Sequence, residues 1–185
     1  MKNSNDDLKI EAPLVPEING DKRLVASRLD IDWLSHSGRR DTHLIIFGHS
    51  AKIQFRKAVF QFAQYFHRSF YYDGIMYGYK GNDDDYSHKA FLWINESGYS
   101  ARKRDDANQA IGGGCFRLRK YIEDNNTSEI KYALQWSWLH PFFRDQGLFT
   151  LSIPFFKKVV GEFRVEGPLS NSMMKICKKN GLSIW

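Results

Sequence analysis

The chain has 185 residues, 42% apolar, 15% aromatic and 26% charged, enough for one domain-sized core; global disorder, a collagen repeat and two independent catalytic domains are excluded. Its two cysteines, Cys115 and Cys177, have neither the density of a disulfide framework nor the paired spacing of a zinc site, and both are read as reduced thiols. The formal charge of +6 is uneven: residues 1–42 hold seven Lys/Arg against eight Asp/Glu, leaving 20 against 13 for the remainder. The positive field therefore belongs to the core, where nucleic acid, an anionic cofactor or an acidic protein surface would all exploit it.

No apolar run approaches the ~18 residues of a membrane-spanning helix, and the opening MKNSNDDLKIEAP lacks the apolar centre of a secretory signal, so a cytoplasmic protein is expected. Pro13 and Pro16 disfavour regular structure near the start. Residues 24–34, LVASRLDIDWL, space Leu24, Val25, Leu29 and Trp33 for a short helix. Residues 1–42 are accordingly read as a partly flexible N-terminal extension, and residues 43–185 as the main domain.

His43 to Phe47 reads as a buried strand. From Ala51 to about Phe70 a helix follows, with Ser50 at its N-cap and Phe55, Val59, Phe62, Phe66 and Phe70 three or four residues apart. That stripe suits core packing, or the wall of an acceptor pocket. KAFLWIN (89–95) and AIGGGCFRLRKYI (110–122) are strand-like, separated by a charged connection. In EIKYALQWSWLHP, Tyr132, Leu134, Trp136 and Trp138 alternate with Ala133, Gln135, Ser137 and Leu139, which predicts a strand buried on both faces. A helix over 147–160, which Pro154 should kink or shorten, a short strand FRVEGP and a helix over 169–179 complete the chain.

The most informative segment joins the long strand to the helix that follows: Leu139-His140-Pro141-Phe142-Phe143-Arg144-Asp145-Gln146-Gly147-Leu148-Phe149. A turn there gathers unpaired main-chain N–H groups at the positive end of a helix dipole, Gly147 permits close approach, and Arg144 adds charge, which together suit a phosphate. Here the chain resembles the GNAT superfamily of acyl-coenzyme A N-acyltransferases. The family signature Q/R-x-x-G-x-G/A follows a strand often ending in hydrophobic-x-Pro; Arg144, Gly147 and Phe149 hold the three positions, Phe149 replacing a small residue. Downstream, Ser170-x-x-Met173-x-x-x-Cys177-x-x-x-Gly181-Leu182 keeps the spacing of the family's N-x-x-A-x-x-x-Y-x-x-x-G-F, and AIGGGCFRLR is similar to its third strand. The resemblance covers residues 89–182, and 43–70 more loosely.

It implies an α/β (α+β) fold: a mixed, splayed sheet with helices on both faces and a shortened C-terminus, since many members continue into two further strands. It also implies acetyl-CoA as co-substrate, its phosphates on Arg144, Asp145, Gln146, Gly147, Leu148 and Phe149, with Ser170 offering a hydroxyl. The pantetheine arm would lie along main-chain groups of Trp138, Leu139 and His140, one N–H polarising the thioester carbonyl. A primary amine of unspecified size would attack directly. Glu166 and His140 are the candidate bases by residue type, and Cys177 stands where many members carry a general-acid tyrosine. Read as ordinary residues, Glu166 is a surface or capping carboxylate, His140 structural and Cys177 a small buried side chain. Either the acceptor side is trimmed or a homodimer completes it.

The lost tyrosine position also allows a catalytically impaired CoA-binding relative of the family, and three further patterns suggest other readings. Gly48-His49-Ser50-Ala51-Lys52 approximates a hydrolase nucleophile elbow but lacks its final glycine. ARKR (101–104) and RLRK (117–120), among many aromatics, suit a nucleic-acid-binding module. Asp83-Asp84-Asp85 lacks the alternating ligand spacing of a calcium loop, and no metal is expected.

Overall fold

A computed structural model describes residues 10–29, 42–71, 77–78, 87–95, 108–122 and 128–185. In chain order these form strands β1 (Leu14–Val15), β2 (Leu24–Leu29) and β3 (Thr42–Phe47), helix α1 (Ile53–Phe70), and strands β4 (His88–Asn95), β5 (Asn108–Ile122) and β6 (Ser128–Leu139). A 3-10 turn (Pro141–Phe143), helix α2 (Leu148–Val160), strand β7 (Arg164–Val165), helix α3 (Asn171–Asn180) and strand β8 (Ser183–Ile184) follow. The expected leader over 1–9, ARKR and Asp83–Asp85 lie outside the described residues.

The strands make one mixed sheet in the order β2-β3-β4-β5-β6-β7-β8, with β1 attached to β5. Neighbours from β2 to β6 are antiparallel; β6, β7 and β8 run parallel. Each face carries its own core. On one, Phe55, Val59 and Phe62 of α1 pack on Ile45, Leu92, Trp136 and Trp138. On the other, Leu148, Phe149, Ile153 and Phe156 of α2 and Cys177 of α3 pack on Phe91, Trp93, Phe116 and Leu134. Each such ring or branched chain contributes about 1.5–3 kcal/mol when fully buried. Two polar bonds fix the second layer: Trp93 Nε1 donates to Ser152 Oγ (2.9 Å), which donates to Leu148 O (2.8 Å).

Four expectations change. Residues 24–29 form an edge strand instead of a helix, because pairing with β3 through all six positions outweighs a weak helical pattern. The described part of the extension thus belongs to the sheet. Ser50 does not cap α1; Lys52 holds the N-cap position, without a side-chain bond, after a turn closed by Ala51 N–H on Gly48 O. Pro154 sits within an unbroken α2, its ring on the exposed side. The tail adds β8, parallel to β7, so one strand follows the last helix.

The alternation expected along β6 also fails, with a structural cause. Cys115 pairs with Trp136 and Phe116 with Leu134, so Gln135 is an extra residue on β6, a β-bulge. Leu134 therefore faces the α2 side and Trp136 the α1 side. Opposite this strand, the glycines of β5 lie under rings: a Cβ on Gly114 would sit 2.5 Å from Trp136 O and against the Phe91 ring.

Gly114→Val is expected to lose about 1–3 kcal/mol or more of unfolding free energy, read as a lowered urea midpoint, because neither the carbonyl nor the packed ring can withdraw. A second test concerns the turn before β2. Arg23 Nε and a terminal guanidinium nitrogen both donate to the Asp21 carboxylate at 2.8 Å, with Lys52 at 3.8 Å. Chiefly through the Arg23 hydrogen bond, that carboxyl is lowered from 3.8 to about 2. Because the folded value is depressed, the stabilisation is whole above the unfolded value and fades as pH falls through the folded one. Carboxyl NMR should show a midpoint near 2, and Asp21→Asn should remove that part of the acid limb.

Candidate functional site

The bulge at Gln135 coincides with a fork in the sheet. Strands β6 and β7 pair over two residues only, Ala133 with Arg164 and Leu134 with Val165. Glu166 N–H still reaches Leu134 O (3.0 Å), but the next amide, Gly167, donates to Trp185 O (3.0 Å), and Pro168 has no N–H to offer. Beyond that point β6 continues to Leu139 against β5 alone. His140 N–H bonds Ile111 O at 2.9 Å, so by antiparallel alternation Trp138 also directs its main chain to β5, whereas Ser137 and Leu139 direct theirs to the fork.

A cleft of about 220 Å³ opens where the strands part. Leu134, Gln135, Trp136 and Ser137 of β6 form one side, and Val165, Glu166, Pro168, Leu169, Ser170 and Met173 the other; Phe66 and Phe70 of α1 close its mouth. The aromatic stripe of α1 thus divides between the core and the cleft. Phe55, Val59 and Phe62 are core, while its last two phenylalanines line the cleft.

At the end of β6 the chain makes the 3-10 turn and enters α2 through two left-handed residues, Asp145 (φ 61°) and Gly147 (φ 75°). The first bond of the helix is Leu151 N–H on Gly147 O (2.9 Å). No side chain caps α2, and the amides from Asp145 to Thr150 engage no carbonyl or side chain. They remain the orphan donors of a helix start, joined to the partial positive charge of the dipole. Gly147 is exposed and the position of its Cβ has nothing within 4 Å, so the helix start is open. Phe149 does not obstruct it, since its ring is buried against Trp93 and Phe156. Leu148 is likewise buried, so at these two positions only main chain is presented.

The side chains proposed from sequence fare differently. Arg144 turns back: its Nε donates to Leu139 O (2.9 Å) and its guanidinium lies over the Trp138 ring at 5.5 Å. Its charge sits at the edge of β6 instead of over the helix start. Gln146 bonds Phe142 O. His140 is structural, accepting the Phe142 N–H on Nδ1 and packing edge-on to Trp138 and Phe143; burial pushes its imidazole below the ordinary value. Its engaged amide, like that of Trp138, does not face the fork. Ser170 is the N-cap of α3, its Oγ accepting Met173 N–H at 3.2 Å, and it lines the cleft.

Glu166 also reaches the cleft, but its carboxylate is held by two nitrogens of Arg119 from β5, one of them Nε. A carboxylate in a two-pronged ion pair is a fixed element of the wall, unlike an isolated base. Cys177 is absent from the cleft. It is 1% exposed in the core beneath α3, and burial raises its thiol, so the position of the family's usual acid has no route to a ligand here. Ser50 lies in an exposed turn. RLRK of β5 alternates between half-buried Arg117 and Arg119 and exposed Leu118 and Lys120, with Arg119 committed to Glu166. Among the described residues no cluster of three or more His, Cys, Asp or Glu is arranged to hold a metal, and no helix is long and apolar enough to cross a membrane.

The sequence reading missed Gln135, Ser137, Phe70, Arg119 and Met173 as parts of one site. The signal was present at Gln135, a polar residue inside the buried run Ala133–Trp136. No family model matches the chain, and no curated protein is matched as a relative.

The thiol assignment is directly testable. Both cysteines are buried, so neither should react with a disulfide reagent in native protein, and both should do so at once in denaturant. Cys177→Ala should lower stability by about 1–2 kcal/mol through lost packing.

Proposed function

We propose that the chain is a GNAT-type N-acyltransferase that transfers the acetyl group of acetyl-CoA to a primary amine. The observation that carries this reading is the row of unengaged amides from Asp145 to Thr150 beside the open edge of β6 at a parallel fork. Main-chain donors at a helix start suit a diphosphate, and the exposed Gly147 and inward ring of Phe149 leave room for one. The edge of β6 offers the amides of Ser137 and Leu139, about 7 Å apart at the strand rise of ~3.3 Å per residue, a spacing suited to the polar groups of an extended arm, while Leu139 O already accepts Arg144 Nε.

When bound, acetyl-CoA supplies an acyl group already activated as a thioester. The residues of the chain provide position and polarity. The outward amide of Ser137 or Leu139 stabilises charge on a carbonyl oxygen lying along β6. Gln135 and Ser137 line the cleft where the amine approaches, and the apolar wall disfavours its charged form. No side chain needs to bond covalently to the acyl group, since the amine attacks directly. Cys177 takes no part, and Glu166 shapes the cleft through its pair with Arg119.

Calorimetry with acetyl-CoA tests this reading. Wild type should bind saturably, and the double variant Arg144→Ala, Gly147→Asp should lose at least about tenfold in affinity, because a carboxylate is added at the helix start and the guanidinium is removed. Absence of wild-type binding at millimolar acetyl-CoA would remove the proposal.

A further inference from the structure

The cleft is lined by residues from both faces of the sheet, and its two sides differ in chemistry. Leu134, Val165 and Met173 belong to or pack on the core beneath α2 and α3, whereas Phe66 and Trp136 belong with the core beneath α1. The unengaged amides open at the start of α2, so a donor held there and along β6 leaves the α1 side for the second substrate. That side is aromatic. Phe70 is 49% exposed, its ring 4.9 Å from that of Phe66, which in turn lies 6.0 Å from Trp136. A half-exposed phenylalanine at the rim of a cleft, continuous with buried rings behind it, is a surface for an apolar guest.

Charge and size narrow the guest further. Among the described residues lining the cleft, Glu166 is the one with a formal charge, and Arg119 neutralises it; a polycation finds no net negative wall among them. A volume of about 220 Å³ falls short of the ~300–1,000 Å³ of pockets for drug-sized ligands. It suits a ring-sized fragment.

From these features, and resting on the acyltransferase reading above, we infer that the acceptor is a small primary amine carried on an apolar, ring-sized body, seated against the paired rings of Phe66 and Phe70 with its nitrogen toward Gln135 and Ser137. The amine nitrogen forms the new bond to the acyl carbon, the carbon–sulfur bond of the thioester breaks, and the proton lost by the amine leaves with the thiol or to solvent.

The test measures thiol release with saturating acetyl-CoA and three acceptors: 2-phenylethylamine, ethanolamine and spermidine. The aryl amine should show a kcat/KM at least about tenfold above either polar amine. In Phe70→Ala its KM should rise by about tenfold and in Phe70→Leu recover most of that loss, with the acetyl-CoA Kd unchanged in both. Since Phe70 is at the exposed end of α1, truncation spares the core. Preference for a polar amine, or an unmoved KM in Phe70→Ala, overturns this inference alone. Failure of wild type to bind acetyl-CoA in calorimetry overturns the donor assignment and this inference with it.

Discussion

One extra residue in one strand sets the geometry of the rest. With Gln135 inserted against the Cys115–Phe116 step of β5, β6 rotates its side-chain register by one position. Below the insertion Leu134 packs with α2; above it Trp136 and Trp138 pack with α1. A strand so rotated cannot remain in register with both neighbours, and the neighbour lost is β7, which follows β6 for two residues only. The glycine run of β5 is the complement of the same arrangement. Gly113 lies under Phe62 and Gly114 under Phe91, so the two large aromatic layers close on the sheet where β6 turns.

The two helices that follow β6 begin differently. At α3 a serine hydroxyl takes up one of the first-turn amides. At α2 the N-cap is a left-handed glycine with no side chain to give, preceded by a left-handed aspartate, so the first amides stay unengaged. Helix starts left in this state carry a desolvation cost if buried and a standing affinity for anions if open. This one is open. Arg144, bound to Leu139 O and stacked on Trp138, keeps a positive charge beside it without filling it.

Most of the sheet was legible because β3, β4 and β5 carry unbroken apolar runs, and α1 and α2 carry three-to-four-residue spacing that no competing pattern obscures. The start of α2 was legible for a more local reason, since Pro141 and Gly147 punctuate the chain on either side of it. What was not legible depended on contacts distant in sequence. Strand β2 is an edge whose single buried residue at its end, Leu29, leaves little alternation to detect; its conformation comes from β3. The pairing of Glu166 with Arg119 spans 47 positions, and the meeting of Phe66 with Trp136 spans 70. Cys177 shows the opposite error. A spacing match placed it at a reacting centre, while the hydrophobic face of α3 turns it into the core.

The closed end of the fork explains how the opening is held at fixed width. Below Glu166, Arg119 grips the carboxylate and approaches the Trp185 ring, Arg164 lies 4.3 Å over Tyr121, and Tyr121 meets Trp185 edge-on. Trp185 is itself bound to both Val165 and Gly167 by its main chain. Strands β5 and β7 and the tail are thus cross-linked by side chains around the point where β6 and β7 stop pairing. Recognition in the proposed reading relies largely on main-chain amides, which depend on backbone angles more than on side-chain identity. Phe149 can then stand where a smaller residue is usual, because its ring goes inward and only its N–H is offered. Such a site constrains spacing strongly and identity weakly.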